Sequence, residues 1–242
     1  PHKNLGCYQF LCSKECKYHV LSEGMKNGLL LNGILEQQIT KITPAIDTNI
    51  FNVNPNESKQ DILRITTIAR MHWVKGLEYT LEALALLKNE NIPFHYTIVG
   101  DGIENERLQF AVHQLGMSEQ VTFTGKLSAS EVKEQLQQAD VYIPYSIQEG
   151  FCNAVLEAQA MGLLCIVSDA EGLSENVLDN QTGWVVPKRQ PKLLAQKVRE
   201  VYMLGAHEKE RVRQAARKRV LEDFNLEKQQ EAFLAFYNVM IE

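Results

Sequence analysis

Nine consecutive residues, Glu149-Gly150-Phe151-Cys152-Asn153-Ala154-Val155-Leu156-Glu157, set two carboxylates around a helix start. Gly150 permits a tight backbone turn. Asn153 is placed to cap a helix running through Val155, Leu156 and Ala158 to Met161, and Gly162 ends it. The free N–H groups and the positive dipole end of such a helix face an anion. Eight helical residues rise about 12 Å, so Glu149, just ahead of the helix, and Glu157, two turns in, cannot grip one group. They can hold opposite ends of one ligand. A nucleotide-diphosphate sugar has the matching parts: sugar hydroxyls for Glu149, a diphosphate for the helix start, ribose hydroxyls for Glu157. The same residue types also serve as a charge complementing the dipole plus one surface glutamate, and these nine residues leave both readings open.

Arg70 and Lys75 put two cations on one loop, ahead of Gly76 and a new helix, where they could clamp a diphosphate; a solvated charge at a helix start is the competing reading of Lys75. Negative charge developing on a leaving nucleotide must be neutralised by a metal on carboxylates or by fixed cations and helix N-termini. The sequence has no Asp-x-Asp pair to hold a metal, which leaves Arg70, Lys75 and the Gly150–Asn153 turn for that work. Gly100-Asp101-Gly102 lacks the third glycine of a dinucleotide fingerprint, since Asn105 stands there. It reads as a tight strand-to-helix turn with room for a base or phosphate beside it, and Gly125-Lys126 offers groups near a nucleobase. No Gly-x-Ser-x-Gly elbow or Walker lysine is present. His72, His95 and His113 read as loop, strand and helix surface, which disfavours a Ser/His/Asp hydrolase.

The elements that must position these residues are legible from residue 62 onward. Short apolar runs at 62–68, 95–99, 121–124, 141–144, 164–167 and 184–186 alternate with amphipathic stretches at 77–88, 104–115, 131–138 and 154–161. This alternation predicts an α/β fold with a doubly wound six-stranded parallel sheet, and in such sheets ligands bind outside the carboxyl ends of the strands. Three further helices, 192–204, 208–224 and 226–240, follow the last strand. The middle one carries Arg211, Arg213, Arg217, Lys218 and Arg219, which reads as a solvated face or as a contact to anionic lipid. Before residue 60 the chain shows a strand-like 18–21, a helical 23–31, an apolar 39–46 and a polar linker at 52–59.

The 242 residues carry a formal net charge of −5 and 45% hydrophobic residues, enough for a sizeable core and against nucleic acid as the main partner. No apolar run reaches the roughly 18 residues of a membrane span. The five cysteines are an odd, cytosolic set. Cys7, Cys12, Cys16 and His19 lack the C-x-x-C knuckle of structural zinc sites, so no metal is expected. The chain opens on Pro1 instead of Met, which reads as an excised piece of a longer protein.

Taken in order, Ile68-Ala69-Arg70 through Lys75-Gly76-Leu77, Ile98-Val99-Gly100-Asp101-Gly102, Val121 to Gly125, Ala139-Asp140-Val141, Glu149 to Ala158, Gly172-Leu173-Ser174-Glu175 and Thr182-Gly183-Trp184 resemble one family over about residues 40 to 240. It is the retaining, nucleotide-sugar-dependent glycosyltransferases with the GT-B fold, glycosyltransferase family four. The resemblance implies that Arg70 and Lys75 contact the donor diphosphate, Glu149 the transferred sugar and Glu157 the ribose. It implies that backbone groups of Gly150, Phe151, Cys152, Asn153 and Ala154 meet phosphate and sugar oxygens, with Gly100 and Lys126 around the base. It further implies metal-independent transfer of a hexose to a glycan or lipid-linked acceptor, without a cofactor, in polysaccharide assembly in the cytoplasm or at the inner membrane face.

Leu164, Glu171 and Ser174 depart from the family's usual proline, glycine and proline, and a carboxylate at Glu171 would repel a diphosphate unless turned outward. Residues 1–58 resemble the tail of an absent acceptor domain plus linker, 59–225 the donor domain and 226–242 the helix that crosses back, with an apolar face that could pair two copies. A non-catalytic nucleotide-sugar-binding module that needs a partner domain is the alternative.

Overall fold

A computed structural model describes residues 16–52 and 62–238. Cys7, Cys12 and most of the predicted 52–59 linker lie outside the described residues. The described residues begin with β1 (Tyr18–Val20), α1 (Glu23–Leu31) and β2 (Ile39–Lys41), in which β1 and β2 pair in parallel over a small cluster of Val20, Ile34 and Ile39. The main body then runs β3 (Leu63–Ile68), α2 (Leu77–Asn89), β4 (Phe94–Val99), α3 (Asn105–Gln114), β5 (Val121–Gly125), α4 (Ala129–Gln137) and β6 (Val141–Tyr142). It continues with α5 (Asn153–Ala160), β7 (Leu164–Ser168), α6 (Leu173–Asn176), β8 (Trp184–Val186), α7 (Pro191–Met203), α8 (Ala206–Asp223) and α9 (Leu226–Asn238).

Strands β3 to β8 form one parallel sheet in the order β5-β4-β3-β6-β7-β8. The doubly wound expectation holds. Because side chains alternate across a strand, β7 sends Leu164 and Ile166 to one face and Cys165 and Val167 to the other, and all are buried. The first face packs on Leu81, Leu84 and Leu87 of α2; the second packs on Val155 and Ala158 of α5. Burial on both faces explains why these strands read as apolar runs instead of alternating patterns.

The ends of several elements differ from expectation for local reasons. The fourth strand leaves the ladder after Tyr142, although the buried path continues to Ser146, because Pro144 has no N–H to donate. α4 starts two residues early, at Ala129: Ser128 accepts from Glu131 N and the Glu131 carboxylate reaches back to Ser128 N, a capping box hidden in Ser128-Ala129-Ser130-Glu131. Within α8, Arg211 pairs with Glu208, Arg213 with Glu210, Lys218 with Glu222 and Arg219 with Asp223. α9 lies against the first segment, with His19 edge-on to Phe233 at 5.2 Å and Gln229 Nε2 donating to Thr43 O. Leu234 and Tyr237 stay exposed.

The order of the sheet reverses between β3 and β6, the switch point outside whose carboxyl ends parallel sheets of this kind place their crevice. At the opposite end the seam is fastened by Asp140, which accepts from Arg64 N at 2.9 Å and from its guanidinium at 3.0 and 3.2 Å.

Candidate functional site

The loops after β3 and β6 meet in this crevice. After β3, His72 Nδ1 accepts from Val74 N and starts a single 3-10 turn, Trp73–Lys75, which Gly76 ends at φ 62°. A side chain at Gly76 would place Cβ 2.2 Å from Tyr145 O, so glycine lets the two loops touch. Ile147 N donates to Val74 O at 2.7 Å, and Ser168 Oγ holds Ser146 O at 2.5 Å.

That contact brings together two of the expected residues. Lys75 Nζ lies 2.5 Å from Glu149 Oε2, and Ser146 Oγ donates to the same oxygen at 3.2 Å. Glu149 Oε1 has no partner among the described residues. The lysine and the carboxylate therefore form one positioned pair with an acceptor oxygen left over. Arg70 stands apart: it is exposed, and its guanidinium makes no hydrogen bond or ion pair among the described residues.

The helix start differs from expectation by one residue. Asn153 is the first helical residue instead of the cap; Cys152 occupies the cap in extended conformation and gives no side-chain cap of the usual kind. Burial, followed by the nearby Glu149, pushes its thiol up to about 11, so it stays protonated at neutral pH. Cys152 N donates to Asn176 Oδ1 at 3.1 Å. The N–H groups of Gly150, Phe151 and Asn153 have no partner among the described residues, which leaves an uncapped helix N-terminus facing the loop. Ala154 follows as the second helical residue.

About one turn into α5, Glu157 is half-buried without a cation beside it among the described residues, and burial raises its pKa. A carboxylate whose pKa is higher folded than unfolded binds more protons in the folded state, so its contribution to stability falls as pH rises through its titration. Glu157→Gln is expected to raise the melting temperature at pH 7–8, with the difference shrinking as pH falls into the carboxylate range. A difference that grows on acidification would refute this.

Gly100 and Lys126 lie at the ends of β4 and β5, along the same sheet edge. Gly100 N is taken by Gly125 O at 2.9 Å, and its φ of 130° with a Cβ position 2.1 Å from Ala69 O makes it a packing glycine. Lys126 is exposed. Asp101 accepts from Gly102 N and Asn105 Nδ2, hydrogen bonds that hold its carboxyl below the usual range. Glu171 is turned outward, 3.6 Å from Lys188 Nζ. Gly172 N donates to Glu149 O at 2.9 Å, bracing the Glu149–Phe151 turn from behind.

The sequence did not point to Asn176: a buried asparagine directly after Glu175 carries no motif signal. Among the described residues no group of three His, Cys, Asp or Glu side chains could hold a metal ion, and no helix is long and apolar enough to cross a membrane.

A six-stranded parallel sheet with a charged pair and an open helix N-terminus at its switch point is the architecture of a Rossmann-like domain, and residues 48–219 match the family model described as glycosyl transferases group 1. The chain belongs to that family. It is 30% identical over 199 residues to WcaL of Escherichia coli, a glycosyltransferase named for colanic acid biosynthesis, covering 80% of this chain and 49% of that protein. The crystal structure of a glycosyltransferase from Rickettsia africae superposes with a TM-score of 0.88 at 24% identity, over 100% of this chain and 68% of that one. Anabaena Alr3699/HepE, solved with UDP and glucose, superposes with a TM-score of 0.83 at 16% identity, over 92% of this chain and 62% of that one. The chain spans about half the length of the curated relatives it matches.

Proposed function

We propose that this chain supplies the donor-binding half of a retaining, metal-independent glycosyltransferase that moves a hexose from a nucleotide-diphosphate sugar to a glycan or lipid-linked acceptor in polysaccharide assembly. The observation that carries the reading is the Lys75–Glu149 pair set beside the open N-terminus of α5 at the sheet's switch point. In this scheme the N–H groups of Gly150, Phe151 and Asn153 receive the diphosphate, with the α5 dipole behind them. Arg70 swings in as the unpaired cation. Lys75 and Arg70 carry the negative charge that grows on the leaving nucleotide, which is the service a metal would otherwise give. Glu149 orients the hexose through Oε1, and Glu157 accepts from ribose hydroxyls.

HepE, with its bound UDP and glucose, and WcaL, by its name, support a sugar-nucleotide donor and a polysaccharide product. The coverage of half of each relative favours one further reading, a nucleotide-sugar-binding module that is inactive without a partner domain. Calorimetric titration with UDP, GDP, ADP and their hexose conjugates, without metal and then with magnesium, tests the donor site. Saturable binding to one base family without metal is expected, and binding that requires magnesium overturns metal independence. Slow donor hydrolysis or transfer by this chain alone would exclude the module reading. Glu157→Gln is expected to weaken UDP and UDP-hexose equally, because the ribose is common to both; a loss confined to the conjugate would move Glu157 to the sugar.

A further inference from the structure

α6 is four residues long, yet three parts of the molecule meet on it. Glu175 sends its carboxylate to the start of α1, accepting from Glu23 N at 2.9 Å and Gly24 N at 3.1 Å, with Lys41 Nζ 3.9 Å away. Asn176, fully buried, accepts from Cys152 N at the cap of α5. Arg219 of α8 donates through Nη1 to Asn176 O at 2.7 Å and through Nη2 to Glu175 O at 2.8 Å, and its guanidinium sits 5.0 Å above the Phe224 ring. One donor is left over: Asn176 Nδ2 is buried with no hydrogen-bond partner. An orphaned buried donor is destabilising, and an apolar side chain of similar size would fill this place without it. Packing alone therefore does not account for an amide here; the contact with Cys152 N does.

Resting on the donor reading above, we infer that Asn176 is a positioning residue for the diphosphate-binding turn, and that Glu175 makes this positioning depend on α1. Tying Cys152 N back to Asn176 fixes the turn in the form that leaves Gly150, Phe151 and Asn153 N–H unpaired. Because Glu175 and Asn176 are consecutive on one short helix, a displacement of α1 shifts the acceptor of Cys152 N as well. Met25, on the same end of α1, has its Cε 3.8 Å from where a side chain at Gly150 would begin, so α1 and the turn are also neighbours through space. The segment before residue 42 thereby sets the affinity of a site more than a hundred residues further along the chain.

The test combines amide hydrogen exchange on the full chain with titration by UDP and UMP, and by the GDP and ADP pairs. Asn176→Val is expected to speed exchange at Cys152 at least tenfold and to cut the preference for diphosphate over monophosphate about tenfold. A merely structural loss would weaken both nucleotides alike. Asn176→Asp keeps the acceptor oxygen and is expected to leave Cys152 exchange near the wild-type rate. Glu175→Ala is expected to speed exchange at Glu23 and Gly24 and, by a smaller factor, at Cys152. Unchanged Cys152 exchange and diphosphate preference in Asn176→Val overturn the positioning role, and a Cys152 rate untouched by Glu175→Ala overturns the link to α1. Should Asn176→Val not fold, the Asp and Glu175 variants carry the same exchange readout. A wild-type chain that binds no nucleoside diphosphate removes the donor reading itself, whereas wild-type binding that Asn176→Val leaves intact overturns the inference alone.

Discussion

Lys75→Ala is expected to lower nucleoside-diphosphate affinity by about 2–3 kcal/mol, roughly 30- to 150-fold. A single charge-assisted contact is worth about 1.5–3 kcal/mol, and the partner left behind adds to the loss. Glu149 is 14% exposed and shares the 2.5 Å contact, so without the lysine its carboxylate stands unneutralised beside the incoming diphosphate. The two effects are separable by a double-mutant cycle. Lys75→Ala combined with Glu149→Gln should bind a diphosphate without a sugar more tightly than Lys75→Ala alone, because the repulsion is gone. Strict additivity of the two single changes would mean that the pair is incidental, and unaltered affinity in Lys75→Ala would end the diphosphate role of this lysine.

Gly172→Ala is expected to lower stability by about 3 kcal/mol, the upper end for overpacking, with a fall in melting temperature of roughly 6–12 °C for a chain of this size. The added Cβ would stand 2.2 Å from Gly150 O and 2.6 Å from Phe151 N, both backbone atoms that have no rotamer to escape into. Relief requires the β7–α6 loop to part from the Glu149–Phe151 turn, breaking Gly172 N to Glu149 O. Nucleotide binding should therefore fall along with the melting temperature. Calorimetric unfolding and titration of the same preparation check this, and a variant that melts and binds as wild type would show that the two loops have slack between them. Gly205, where an added Cβ meets nothing within 4 Å, provides the control.

The sheet was readable because each strand is short, apolar on both faces and bounded by turn residues, a pattern that survives without knowledge of the neighbours. Glu149, Glu157 and the α5 turn were readable because one contiguous segment carries them. What escaped was whatever depends on two segments meeting. Lys75 and Glu149 are 74 residues apart, and their pairing is set by the register of β3 against β6, which no local pattern encodes. The shift of the cap from Asn153 to Cys152 has the same origin: propensity favours asparagine, but a buried amide from α6 takes the Cys152 N–H and fixes the extended residue one place earlier. Arg219 looked like one charge in a basic run because sequence does not show that Glu175 and Asn176 present their carbonyls to it.

The seam between β3 and β6 has a kinetic consequence. β3, β4 and β5 can assemble from consecutive stretches of chain, but β6 must return across 76 residues to lie beside β3, as the Arg64–Asp140 pair records. Closing that loop is slow compared with local helix formation, since its entropy is lost before its contacts are gained. Both walls of the crevice come together only at that moment, so the binding site does not exist until β6 has docked beside β3. A nucleotide that binds here recognises a surface absent from earlier, partly assembled forms. It should accordingly lengthen the lifetime of the folded chain, through slower unfolding, while leaving the rate of folding almost untouched.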